Sequence, residues 1–148
     1  MTDAALGNSD TSTDDIDVLI IAGIPDMKMT SLDDGRPVYP GTATDTAKIL
    51  REIGLRVGWQ HEKPDRAIVE HKAADHWLPI LVFAQEAVAN GAGTLFAQAI
   101  ITLLGKATAE RSTLHVEFQR KRGNKTETFK ASGPGKGVLE AMREFDQR

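Results

Sequence analysis

From Thr113 to Arg120 the chain alternates Leu114, Val116 and Phe118 with His115, Glu117 and Gln119. A two-residue period of this kind fits a β-strand with one face in a core and the other toward solvent. Lys121-Arg122-Gly123-Asn124 reads as a four-residue turn, and Lys125 to Ser132 as the returning strand, so a hairpin is predicted over 113–132. Gly133-Pro134-Gly135 then separates the hairpin from a closing helix over 137–145. On that helix Val138, Leu139, Met142 and Phe145 form one apolar stripe, which supplies the cover that the apolar face of the hairpin requires.

Upstream, Val18 to Ile21 between Asp17 and Gly23 reads as a strand buried on both faces. Met27 to Gly41 is dense in turn formers and has no period, which predicts a mobile or partner-contacting loop. Thr42-Ala43-Thr44-Asp45 opens a helix expected to run to Val57 and stop at Gly58, with Ala47, Leu50, Ile53 and Val57 on its buried side. Ala67 to His71 is a short strand candidate. Asp75 reads as the N-cap of a helix through Leu78–Ala89, interrupted at Asn90-Gly91-Ala92-Gly93 and resumed from Thr94 to Leu104. The order β-α-(β)-α-α-β-β-α predicts an α/β (α+β-like) fold, with helices packed on a three- or four-stranded sheet. A single domain over 16–148 is expected to follow a disordered acidic tail over 1–15, where Asp3, Asp10, Asp14 and Asp15 have no basic partner.

Composition narrows the function. A net charge of −3 disfavours a nucleic-acid binder, and the absence of cysteine excludes thiolate chemistry and sulfur-ligated metals. The first residues show neither a basic nor an apolar region of a secretory signal, so a cytoplasmic location is expected. No charge falls between Glu86 and Lys106, yet Asn90, Thr94, Gln98 and Thr102 with two glycines argue against a membrane span.

Chemistry-bearing clusters are few. Glu70-His71-Lys72-Ala73-Ala74-Asp75-His76 is the one grouping of acid–base or metal-type residues; on a helix His71 and Asp75 would share a face. It lacks the three or four convergent ligands and the H-E-x-x-H spacing of a zinc site, so no metal and no cofactor are expected. Gly135-Lys136-Gly137 lies between strand and helix, where anions bind, but the Ser or Thr of a phosphate loop is missing. Arg111, Arg120, Lys121, Arg122, Lys125 and Lys130 make the hairpin locally basic without aromatic residues interleaved for base stacking. Ser12, Ser31, Ser112 and Ser132 show no pairing with a His–Asp couple. Ala89, Gly93 and Ala97 form a small-residue stripe at helical spacing, a candidate interface with a second copy or a protein partner.

The segment from about Val82 to Phe145 resembles the small actinobacterial domains called the effector-associated constant component. The likeness rests on Ala89-Asn90-Gly91-Ala92-Gly93-Thr94-Leu95, the apolar run Ala97–Leu104, Leu114-His115-Val116-Glu117-Phe118 and Val138-Leu139-Glu140-Ala141-Met142. The acidic leader, the segment 27–41 and Asp75-His76-Trp77 lie outside that pattern. The resemblance implies a non-enzymatic accessory module of bacterial conflict or signalling systems, working beside an effector, and it transfers no catalytic residue. The expected function is therefore a non-catalytic module that binds a protein partner or itself as a homodimer. The alternatives are a small metal-dependent or acid–base enzyme built on His71, Asp75 and His76, and a weak anion binder at Gly135, Lys136 and Gly137.

Overall fold

The structure is a computed structural model that describes residues 15–70 and 75–147. Strands β1 (Val18–Ile21), β3 (Val57–Trp59), β5 (Asp75–Trp77), β6 (Ile80–Phe83), β7 (Thr113–Arg122) and β8 (Lys125–Pro134) form one mixed sheet, and β2 (Val38–Pro40) and β4 (Ala67–Val69) form a separate parallel pair. Helices α1 (Ala43–Ile53), α2 (Glu86–Ala89), α3 (Ala92–Leu104), α4 (Lys106–Arg111) and α5 (Gly135–Phe145), with a short 3₁₀ turn at Lys63–Asp65, complete the described elements. The fold is α/β, as expected, but its main sheet has six strands rather than three or four.

The sheet order is β3-β1-β6-β7, with β8 antiparallel along the far side of β7. β5 and β6 lie end to end along the near side of β7, both parallel to it. Pro79 between them has no N–H to donate, so the ladder is interrupted there. The predicted helix over 78–89 is thus replaced by a strand over Ile80–Phe83, and only its end, Glu86–Ala89, is helical as α2. Ile80, Leu81, Val82 and Phe83 are all buried because β6 sits centrally between β1 and β7 with both faces covered. Such a strand reads as an unbroken apolar run, which periodicity alone does not separate from a buried helix. Asp75 accordingly starts a strand and caps no helix.

The hairpin and its helix match the sequence reading, with a turn of two residues, Gly123-Asn124, in place of four. Gly123 has φ 62°, the left-handed value such turns need. Helix α1 ends earlier than expected: Gly54 takes φ 111° and closes it, leaving Ile53 exposed and Val57 and Gly58 free to pair with β1. β1 itself alternates, with Val18 and Ile20 buried and Leu19 and Ile21 half-buried. The segment 27–41, expected as an unstructured loop, closes a Ser31–Pro37 bridge and ends in β2, where Val38 and Tyr39 are fully buried. The expected acidic tail over 1–15 lies, but for Asp15, outside the described residues.

One face of the sheet packs against α1, α3 and α5. All five phenylalanines of the chain, Phe83, Phe96, Phe118, Phe129 and Phe145, meet in this layer with Phe118 at their centre. Beside them lies a fully buried cation. The Arg120 guanidinium stacks 4.1 Å from the Phe145 ring, its Nε donates to Glu127 at 2.7 Å, and its Nη1 lies 3.6 Å from Asp146. Asp146 in turn accepts from the backbone N–H groups of Gly93 and Thr94 and from the Thr94 hydroxyl, tying the end of α5 to the start of α3. Among the described residues Nη1 and Nη2 of Arg120 have no hydrogen-bond partner, so at those atoms the cation is offset by the Asp146 charge and the Phe145 ring alone. Arg120→Met keeps the apolar packing but leaves the nearly buried Asp146 carboxylate without its cation, so a loss of about 1–3 kcal/mol is expected in urea unfolding.

The stripe Ala89, Gly93 and Ala97 does not face outward. All three residues are buried, and a Cβ added at Gly93 would be driven into the Met142 carbonyl of α5. Close approach of two backbones is indeed what this stripe permits, but the second backbone belongs to the same chain.

Candidate functional site

The sheet face away from α1, α3 and α5 is partly covered by the segment that follows β1. Ile24 and Pro25 are buried there, and Gly23 lies so close to the Ile80 side chain that a Cβ would stand 2.8 Å from its Cδ1. A polar cluster beneath this cover is centred on His115 of β7, which is only 8% exposed. The hairpin register sets Ser132 directly opposite His115, and the β5–β7 register sets Trp77 beside it. His115 Nδ1 lies 2.9 Å from Ser132 Oγ, and Nε2 lies 3.0 Å from Asp75 Oδ2. The Trp77 ring stacks on the imidazole at 4.4 Å and 7°, which holds the ring plane.

Asp26 adds a second carboxylate, with Oδ2 3.6 Å from Nδ1. It has φ 67°, the one non-glycine residue among those described with positive φ. That conformation costs an Asp little beside other residue types, yet it must be held by its surroundings. In neutral His115, an N–H at Nε2 donates to Asp75 and leaves the Nδ1 lone pair to accept from the Ser132 hydroxyl. On protonation, Nδ1 becomes a donor and the two carboxylates flank the cation.

A second feature is a cleft of about 780 Å³ at the carboxyl ends of the parallel strands β1 and β3. Its walls come from Ile21 and Ala22, the turn Thr30–Pro37, Gln60-His61 and Pro64-Asp65. Gln60 Oε1 accepts from the Ala22 N–H at 2.9 Å, and Asp34 is paired with Arg36 at 2.9 Å. Hydrogen bonds from the Arg36 backbone and side chain hold the Asp34 carboxyl below the usual carboxylate range. His61 Nδ1 lies 2.8 Å from the Tyr39 hydroxyl, and burial pushes that phenol up to about 12. The phenol therefore stays protonated and donates to Nδ1, so that in neutral His61 the proton sits on Nε2. Arg66 completes the support, stacked 3.7 Å from the Trp59 ring and donating to the His61 carbonyl.

The sequence candidates fall differently. Asp75 and His76 are neighbours on a strand and point to opposite faces, so they do not act together. Asp75 serves His115, while His76 borders a recess of about 330 Å³ with Asp45, Glu70, Leu103 and Leu104. His71 lies outside the described residues. Among the described residues no group of three His, Asp or Glu side chains is placed to hold a metal ion. At the anion candidate, Gly135 is buried, donates its N–H to the Ser112 carbonyl at 2.8 Å and leaves no room for a Cβ against the Ala109 carbonyl; Lys136 and Gly137 are exposed. Neither His115 nor the pairing of Ser132 with a His–Asp couple was anticipated. The two-residue turn was the missing signal, since a four-residue turn pairs His115 with Lys130 instead.

Comparison with family models, with curated proteins and with solved structures finds no match for this chain. Among the described residues no helix is long and apolar enough to cross a membrane.

Proposed function

We propose that this protein is an interaction module, the accessory partner of a bacterial effector, and that it takes a peptide segment of that partner in the cleft beside β1 and β3. The cleft carries this reading. Its volume falls in the range of ligand sites, and its lining offers donors and acceptors of both signs from Thr30, Ser31, Asp34, Arg36, Gln60, His61 and Asp65. With two carboxylates and one guanidinium, the walls disfavour a phosphate-bearing ligand and suit the mixed polarity of a polypeptide. The likeness of residues 82–145 to effector-associated domains supports the choice of partner.

Ser31→Trp fills the cleft from a turn whose side chains are largely exposed. Co-expressed with the product of the neighbouring gene, the parent chain is expected to co-purify with it, Ser31→Trp to lose it at least tenfold, and Lys136→Ala to retain it. Retention by a folded Ser31→Trp chain would move the docking surface elsewhere. Self-association is the second partner class, and any dimer must use a surface other than the Ala89–Gly93–Ala97 stripe; sedimentation equilibrium of the isolated chain reads it directly.

A further inference from the structure

The geometry points to Ser132 as an activated nucleophile, with His115 as its general base and Asp75 as the residue that positions the base. Three side chains from three strands converge here: Ser132 Oγ at 2.9 Å from Nδ1, and Asp75 Oδ2 at 3.0 Å from Nε2. A hydroxyl within hydrogen-bond reach of a base, itself oriented by a third group, is the recognisable arrangement of nucleophilic catalysis. The ring is used in the reverse sense of the familiar triads, with Nδ1 rather than Nε2 facing the nucleophile, and the chemistry is indifferent to which nitrogen accepts.

Exposure is divided as the chemistry needs. Ser132 is exposed to an incoming reagent, whereas His115 is 8% exposed and fixed between Asp75 and the Trp77 ring. Asp26, 3.6 Å from Nδ1, stands where it favours the imidazolium that forms when the serine proton is taken. Among the described residues β8 pairs only with β7, and the Gly135 N–H bond to the Ser112 carbonyl sets the ladder parity so that the N–H of Ser132 itself faces the open edge, available to a developing oxyanion. Ser132 lines neither of the two clefts described above, and two carboxylates stand nearby, so the substrates it suits are small, uncharged acyl esters.

In the first half-reaction the Ser132 oxygen bonds to the ester carbonyl carbon as Nδ1 takes the hydroxyl proton. The tetrahedral adduct then breaks its bond to the alkoxy oxygen, and the alcohol departs with the proton from Nδ1. Water repeats the sequence on the acyl-serine, releasing the carboxylic acid and restoring Ser132. Every proton that leaves Ser132 or water passes through His115, and no other reactant is needed.

The test is covalent labelling of the full chain with an uncharged fluorophosphonate, read by intact mass and peptide mapping, together with release of phenol from an aryl acetate. One adduct per chain is expected on Ser132, absent in Ser132→Ala and unchanged in Ser31→Ala and Ser112→Ala. Asp75→Asn is expected to slow labelling at least tenfold while the chain stays folded by circular dichroism, a part of the about 10²–10⁴-fold that general-base assistance supplies. The parent's labelling rate should also rise with pH as an imidazole loses its proton, and Asp75→Asn should displace that profile, which a merely structural carboxylate would not do. Absence of an adduct on Ser132, or labelling of Ser132 at the parental rate and pH profile in Asp75→Asn, overturns the assignment. These readouts do not involve the cleft, so they stand or fall separately from partner binding.

Discussion

Phe118→Ala is expected to lower the unfolding free energy by about 3–5 kcal/mol, the largest effect of any single truncation in the sheet–helix layer. Phe118 is fully buried, and its ring lies 5.1 Å from Phe129, 5.5 Å from Phe145, and 5.9 Å from both Phe83 and Phe96. These partners come from β6, α3, β8 and α5, so the cavity left by alanine opens at the meeting point of four elements. Three of the four pairs are edge-to-face, a geometry that contributes beyond area burial and is lost with the ring. The four rings that remain around the space are each held by their own strand or helix, so they close it only if those elements shift. Urea unfolding followed by circular dichroism measures the difference, and a loss below about 1 kcal/mol would mean that the ring layer repacks around alanine.

That cluster was half legible in the sequence. The alternation of Leu114, Val116 and Phe118 fixed which face of β7 turns inward, and the stripe of α5 fixed which helix face meets it; all seven side chains from Leu114 to Phe145 in those two patterns are buried. Patterns of period two and 3.6 survive because each element has one wet face. β6 has none, so its residues carry no period and read as part of a helix. The polar site was hidden for another reason. His115 sits on the outward face of its strand, where a polar residue ordinarily means solvent, and only the ladder brings Ser132 and Asp75 to it. Asp26 reaches the same imidazole from 89 positions away through a segment that has no periodicity at all. Only the Ser132–His115 pair follows from the hairpin turn; contacts between strands distant in sequence and through irregular backbone are properties of the assembled sheet, and residue spacing along the chain does not encode them.

Gly93 shows the same division between a residue's character and its place. Its sequence context, with Ala89 and Ala97, marks a site of close backbone approach, and the structure puts the α5 backbone there. Replacement with leucine is therefore expected to unfold the chain rather than to dissociate an oligomer. The stricter probe is Gly93→Ala, which adds one carbon. That carbon meets the Met142 carbonyl, a backbone group that cannot swing aside as a flexible side chain would, so α3 and α5 must separate. Separation pulls Asp146 from the N–H groups of Gly93 and Thr94, 2.8 and 2.7 Å away, and uncaps the first turn of α3. Overpacking alone costs about 1–3 kcal/mol, and the lost cap about 1 kcal/mol more, so a total near 3 kcal/mol is expected. Gly91→Ala, where a Cβ has open space and φ is −122°, serves as the matched control and should change stability by less than about 1 kcal/mol. Equal melting curves for the two variants would show that α3 and α5 pack more loosely than one methyl group; a drop confined to Gly93→Ala, with no change in sedimentation of the folded fraction, assigns the stripe to the inside of the fold.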